Sequence, residues 1–367
     1  MMRGKSVRLV RWRLCLVLLL ALAGLPASGG SAAAAALPPY LSLEAGYGAG
    51  IVTGGWERVE RYLDTTSGFR TEGFPPDGRG DQDGKRVTYF GGTTRPYSGR
   101  FLLYSAPGWN TGSRPTPVLL VHGANDSADR AWADPGEAGG YGCGAASCPS
   151  TGLMQYLAGR GHRVFALGFA HKQGDNLMQA QTVGDAIAVI RAKLGVSQVD
   201  LVGWSKGMMS TRAYVSSLKP TWGRPYAGDV RRLVTLGGPN GGYDYPYAHG
   251  WAHDFSIWPE CGGKVNAPSP HSHMTCYGLY TAHPEFSMTP AGVPAAVPTY
   301  LLAGGSADVL GIFNENRGPS DGVVFTSSAL DTAGIPTVGG RATITGANHL
   351  ELGWHSAATA QTAAWLS

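Results

Sequence analysis

An α/β architecture, a mostly parallel sheet covered by helices on both faces, is the fold class this sequence predicts. Three observations carry it. Short apolar runs alternate with stretches of helical spacing from residue 116 to the C-terminus. The helical stretches stop at breakers placed where helices end, Gly195 and Pro220 among them. Residues with the chemistry of a site fall just after the apolar runs, at the carboxyl ends of the predicted strands, where open α/β sheets hold their ligands.

The first 36 residues stand apart from the fold. Arg3, Lys5, Arg8, Arg11 and Arg13 form a basic start, Leu14 to Leu25 an apolar core too short to span a bilayer comfortably, and Ala/Ser/Gly-rich sequence follows. That is the pattern of a cleaved secretory signal peptide, so a secreted, extracellular protein is expected. Cys15 sits at the start of the apolar core and not at its end, against a lipoprotein anchor, and no later segment is apolar enough to span a membrane. Without the leader's five basic residues, 24 Lys and Arg face 25 Asp and Glu, a net of −1. The formal +4 of the whole chain is therefore no argument for nucleic acid or anionic surfaces. Four cysteines remain, and their proximity favours the disulfides Cys143–Cys148 and Cys261–Cys276 over a zinc site.

Residues 37–115 are rich in Gly, Tyr and Thr; the runs Arg86–Phe90 and Arg100–Tyr104 read as antiparallel edge strands leading into the sheet. From 116 to 367 the core follows. Pro117–Val121 is a buried strand, Leu153–Leu157 a helix before Gly159 and Gly161, and Arg163–Leu167 the next strand. Val183, Ala186, Ile187, Ile190 and Leu194 recur at helical spacing within a helix over 178–194. Val199, Leu201 and Val202 form a short buried strand, and a helix is predicted over Met208–Leu218. Arg232–Leu236, Thr299–Ala303 and Ala342–Thr345 are further strands, and Ser356–Leu366 a closing helix. Residues 243–297 intervene between two strands as a cap-like insertion, with aromatics and five histidines (His249, His253, His271, His273, His283) whose spacing matches no metal motif.

The pattern G-x-S-x-G occurs twice. In a chain with 55 glycines the match alone is cheap, so context must choose. Gly203-Trp-Ser-Lys-Gly207 lies between a strand and a helix, the setting of a nucleophile elbow, where a strained turn lifts the serine oxygen above the sheet. Gly318-Pro-Ser-Asp-Gly322 follows the polar breakers Asn314–Arg317, and Val323–Phe325 after it is strand-like. Ser320 reads as a loop residue and Ser205 as the nucleophile.

A serine hydroxyl needs a base within hydrogen-bond reach, and that base needs a carboxylate. His349, just past the last strand, is the leading base, with His355 in reserve; His122 shapes the loop after the first core strand. Asp308 and Asp321 both satisfy the order Ser, acid, His, and on the residues alone they are even. The oxyanion donors are expected to be the backbone N–H groups of Ala124 and Lys206. The Lys206 side chain is expected along the helix as a solvated or paired cation. No cofactor or metal is needed.

With these residues in view, the chain resembles the bacterial class 2 (triacylglycerol) lipase family of the α/β-hydrolase superfamily. The resemblance rests on Val118–Gly123 with Trp132 beyond it, Gly161–Leu167, Val199–Gly207, Leu233–Gly242, Ser320–Val324 and Asn348-His349. It implies an α/β-hydrolase fold and ester hydrolysis through an acyl-serine, and it tips the acid to Asp321 over Asp308. Trp204 and Lys206 on either side of the serine, and Gly238 and Asn240 further on, depart from the usual pattern. The expected substrate is an ester, lipid or polyester, with no nucleic acid, membrane anchor or protein partner. A polyester depolymerase, a peptidase with the same triad and a silent binding protein on the same scaffold are the competing readings.

Overall fold

The computed structural model describes residues 36–71, 84–124, 126–137, 148–172, 174–241, 292–306 and 319–367. In chain order come β1 (Leu41–Tyr47), β2 (Arg58–Asp64), α1 (Gly84–Tyr89), β3 (Arg100–Ser105), β4 (Val118–Val121), α2 (Ala128–Trp132) and α3 (Leu153–Ala158). They continue with β5 (Val164–Phe169), α4 (Asn176–Leu194), β6 (Val199–Trp204), α5 (Lys206–Val215) and β7 (Val230–Leu236). The last are β8 (Thr299–Gly304), α6 (Thr326–Ala329), β9 (Val338–Ile344) and α7 (Ser356–Leu366).

The strands form one nine-stranded sheet in the order β1-β2-β3-β5-β4-β6-β7-β8-β9. β1, β2, β3 and β5 pair antiparallel, and from β5 to β9 every pairing is parallel. The strand order reverses at β4: β5 lies on one side of it and β6 on the other. Helices leaving such a switch point diverge to opposite faces and open a crevice at the carboxyl ends of the strands. Here Val121, the end of β4, is the register partner of Gly203, one residue before the end of β6.

Alternate residues of each strand feed two cores, as the period of two requires. Leu119, Val121, Phe165, Leu167 and Leu201 pack with Ile187 and Ile190 of α4 and Met208 and Met209 of α5. Leu120, Ala166, Val202, Val234 and Leu302 pack on the other face with Trp132 of α2, Leu153 of α3 and Leu366 of α7. Both faces of β4, β5 and β6 are buried along their whole length, which is why these strands read as continuous apolar runs.

Several expectations change. Arg86–Phe90 falls in and just beyond helix α1, not in an edge strand. Arg86, Tyr89 and Phe90 are all buried, and their i, i+3, i+4 spacing gives a helical face that the alternating pattern concealed. Arg86 donates to the carbonyl of Phe169 at 2.6 Å. Helix α5 begins at Lys206, two residues earlier than expected, and ends at Val215. β9 begins at Val338 because Gly339 and Gly340, which look like breakers, lie under the rings of Tyr300 and Trp365. Val323–Phe325 makes no strand; one bridge joins Ser320 to Phe325. Gly195, in the left-handed conformation at φ 64°, caps α4 as its position predicted. Residues 1–35 of the leader, Asp308, residues 243–291 of the expected insertion with its histidines, and Cys143, Cys261 and Cys276 lie outside the described residues.

Candidate active site

β6 ends at Trp204 and α5 starts at Lys206, so a single residue joins strand to helix. Ser205 makes that turn with φ 54° and ψ −128°, a region L-residues seldom adopt. The turn closes only because its flanks lack side chains. A Cβ at Gly203 would lie 2.8 Å from the Cα of Met208, and one at Gly207 would collide with the carbonyl oxygens of Val121 and His122. The backbone holds the turn from both sides: Ser205 N donates to Leu236 O at 2.9 Å, and Met208 N to Ser205 O at 2.9 Å. The result is a half-buried Ser205 on top of a buried strand.

His349 follows β9, and its Nε2 lies 2.8 Å from Ser205 Oγ. Its Nδ1 lies 2.7 Å from Asp321 Oδ2. An ionised carboxylate only accepts, so Nδ1 carries the proton and the Nε2 lone pair faces the serine hydroxyl. Asp321, on the connection from β8 to β9, is held by its other oxygen, which accepts from Val323 N at 3.0 Å and Val324 N at 2.7 Å. A backbone bond, His349 N to Asp321 O at 2.8 Å, ties the two loops together. Asp321 and His349 are both buried. Gly237, just after β7, gives them room: a Cβ there would lie 2.9 Å from Asp321 Oδ2 and 3.1 Å from His349 Nδ1.

A hydroxyl bonded to an imidazole that is bonded to a buried carboxylate can lose its proton at neutral pH. A strained serine turn of this kind between a parallel strand and a helix, at a strand-order reversal, with acid and histidine following in that order, decides the architecture. The chain has the α/β-hydrolase fold.

No protein-family model and no curated protein matches the chain. Among solved structures it is similar to the lipase BlEst2 of Bacillus licheniformis in mature form, at 18% identity and a TM-score of 0.47, over 68% of this chain and 91% of that one. It is also similar to EstA of Clostridium botulinum, at 14% identity and a TM-score of 0.45, over 70% and 88% of the two chains. The carboxylesterase CesB of Bacillus subtilis is another, at 13% identity and a TM-score of 0.39, over 73% and 87%.

The remaining candidates separate cleanly. His355 caps α7, its Nδ1 accepting from Ala357 N at 3.3 Å. His122 is buried beside Phe169, and its Nδ1–H donates to Gly123 O at 2.8 Å. Burial first, then the nearby Arg86, Lys172 and Lys206 cations, hold the His122 imidazole well below its usual range; it is a neutral brace of the loop that leads to Ala124. That loop runs directly against Ser205: a Cβ on Gly123 would be 2.9 Å from Ser205 Cβ. Lys206 is the first residue of α5, where a helix N–H has no partner within its own helix.

Two side chains have larger parts than the sequence revealed. Trp204 is a departure from the usual pattern, and its indole N–H donates to the His349 carbonyl at 3.0 Å. Its ring lies 5.5 Å from the imidazole and meets Trp132 edge-on. Lys206 is not a solvated cation. It is buried, and its Nζ reaches Gly174 O at 2.6 Å, Asn176 Oδ1 at 2.7 Å and Gln179 Oε1 at 2.6 Å. Two of these partners, Asn176 and Gln179, lie at the start of α4, so the side chain points inward against that helix. Only the tertiary packing of α4 on α5 could have indicated this. Gly238 leaves no space for a side chain, since a Cβ would lie 2.5 Å from Met208 Cβ. Asn240 joins α5 to the last residue of α6, accepting from Arg212 at 3.2 Å and donating to Ala329 O at 3.0 Å.

Proposed function

We propose that this protein is a secreted serine hydrolase that cleaves carboxylic esters through an acyl-serine intermediate. The observation that carries the reading is the chain of contacts Ser205 Oγ, His349 Nε2, His349 Nδ1, Asp321 Oδ2, built on a strained turn. In the proposed reaction His349 takes the serine proton as Oγ adds to the ester carbonyl, and Asp321 stabilises the imidazolium. The oxyanion is held by the N–H groups of Ala124 and Lys206. The carbonyl re-forms and expels the alcohol, which takes the proton from His349. Water then enters, deprotonated by the same imidazole, and the acid leaves with Ser205 restored.

A basic start followed by a short apolar core supports export. The disulfide at Cys148 is in keeping with it, since such bonds persist in oxidising compartments. Carboxylic esters, lipids and polyesters among them, are the substrate class proposed.

Stoichiometric labelling by a fluorophosphonate, lost in Ser205→Ala together with hydrolysis of p-nitrophenyl butyrate, is the expected result. The variant's kcat should fall by roughly 10⁶-fold. A folded wild-type protein that takes up no label would overturn the mechanism. Labelling with turnover of amides but not of matched esters would overturn the substrate class.

A further inference from the structure

Trp204 is the last residue of β6 and His349 follows β9, and two strands, β7 and β8, lie between those elements in the sheet. The indole spans the separation. Its Nε1–H donates to the His349 carbonyl at 3.0 Å, and its ring lies 5.5 Å from the imidazole, tilted by 38°. The ring is itself held. It is buried, meets Trp132 edge-on at 6.3 Å, and is backed by the loop after β4, where a Cβ on Gly123 would lie 3.1 Å from Trp204 Cε3. A tryptophan side chain turns about only two bonds, so a ring packed on these sides delivers its N–H to one point.

The carbonyl it meets is held as well. Asn348 Oδ1 accepts from Leu350 N at 3.0 Å and Glu351 N at 3.1 Å, and Glu351 Oε2 accepts from Asn348 N at 2.9 Å. These bonds bracket His349 in a tight turn, while Asp321 accepts from its Nδ1 and from its backbone N. Asp321 thus holds one side of the histidine and Trp204 the other. Trp204 directly precedes Ser205, so the indole bond joins base and serine by a route separate from the contact between Nε2 and Oγ.

We infer that Trp204 is a positioning residue: its indole N–H latches the His349 backbone to the residue before Ser205 and so keeps Nε2 in line with the serine hydroxyl. The inference rests on the proposed serine chemistry. Proton transfer needs the base within hydrogen-bond reach and correctly aligned, and a displacement of about 1 Å can cost about a hundredfold in rate. His349 is the base in both halves of the proposed reaction, so a loosened histidine lowers kcat whichever half is slower. The buried indole acts through His349, so the latch bears on the barrier and hardly on ground-state binding.

Two replacements separate the latch from the packing of the ring. Benzothienylalanine incorporated at position 204 keeps the shape of the indole and puts sulfur in place of the N–H. Trp204→Phe removes the N–H and part of the ring. Both are compared with wild type in p-nitrophenyl butyrate kinetics, in the rate of labelling by a fluorophosphonate and in thermal unfolding. The benzothienyl protein should melt near wild type, with kcat and labelling rate lower by about tenfold and KM changed less than about threefold. Trp204→Phe should lose about tenfold to a hundredfold in the same two rates. Wild-type kcat and labelling rate in a folded benzothienyl protein would overturn the inference, even if Trp204→Phe were inactive or failed to fold, because packing alone would then account for the tryptophan. A rise in KM with kcat unchanged would overturn it too, since the indole would then serve substrate binding. The labelling rate reads Ser205 and His349 without an ester, so the inference is tested even if butyrate esters prove not to be substrates. A wild-type protein that takes up no label would instead remove the proposed function.

Discussion

The same five-residue pattern occurs at Ser205 and at Ser320, and the two serines have opposite fates. At Ser205 the pattern bridges a buried parallel strand and a helix with no residue to spare, and the backbone is driven to φ 54°. At Ser320 it sits in a short turn closed by a bridge to Phe325. There the serine is buried, and its Oγ accepts from Gly322 N at 3.0 Å. One serine is presented and the other is consumed by its own loop. The position after the serine differs as well. Lys206 turns inward under α4, whereas Asp321 reaches across to His349. The lesson is that the pattern specifies a tight turn, and the elements on either side decide whether that turn exposes a hydroxyl or orients a carboxylate.

That comparison is sharpened most by Asp321→Asn. The amide would donate to Nδ1 and leave the Nε2 proton facing Ser205, the wrong tautomer for a base. A fall in kcat of about 10⁴ with unchanged folding is expected from steady-state kinetics and circular dichroism. Equal activity of the variant would mean that the second copy of the pattern does not serve the first.

Gly207→Ala tests the elbow itself. The new methyl would strike two backbone carbonyls that cannot rotate away, at Val121 and His122. A loss of about 3 kcal/mol or more is expected in denaturant titration, with the expressed protein falling in yield. Wild-type stability would show that the strand and helix cross less tightly than described.

His162, two residues before β5, provides a control for the acid range. It is buried with neither ring nitrogen hydrogen-bonded, and burial, with Arg114, Arg231 and Arg160 adding to it, pulls its pKa down to about 4. The unfolded value is about 6.5, so the neutral ring favours the fold fully above that pH, and the contribution is lost as pH falls from there towards 4. His162→Phe should therefore gain on wild type in melting temperature between pH 6.5 and 4 and run parallel to it above. A constant offset across the whole range would sink the assignment. The smallest effect is expected at Ser320→Ala, which removes one hydrogen bond to Gly322 N. About 1 kcal/mol of stability and little activity should be lost, in contrast to Ser205→Ala.

Much of the architecture was legible because burial imposes its own spelling. Strands covered on both faces have to be apolar throughout, so β4 to β8 stand out, and Gly195 marks the end of α4. Elements that depend on partners did not show. Helix α1 hid in an alternating run because its buried face includes an arginine. The first residues of β9 hid behind two glycines whose missing side chains are replaced by aromatic rings from β8 and α7. The site divides in the same way. Ser205 and His349 follow strands that the pattern reveals, but Asp321 and Asp308 are equal on local grounds, since neither loop indicates which carboxylate faces the imidazole. Trp204 and Lys206 could be seen as unusual residues, without any sign of what they touch.

By itself, then, the sequence determined the alternation of strands and helices, the strand–Ser–helix junction that compels a strained turn, and the chain order of serine, acid and histidine. These are properties of neighbours along the chain: periodicity, breakers and the reach of one residue. Only the tertiary structure decided that β4 and β6 lie side by side, that Asp321 meets His349, that Trp204 holds the histidine loop, and that the Lys206 ammonium is buried among three oxygens. Those contacts join residues 28 to 145 positions apart, and their energies come from packing and excluded water, which no local pattern records.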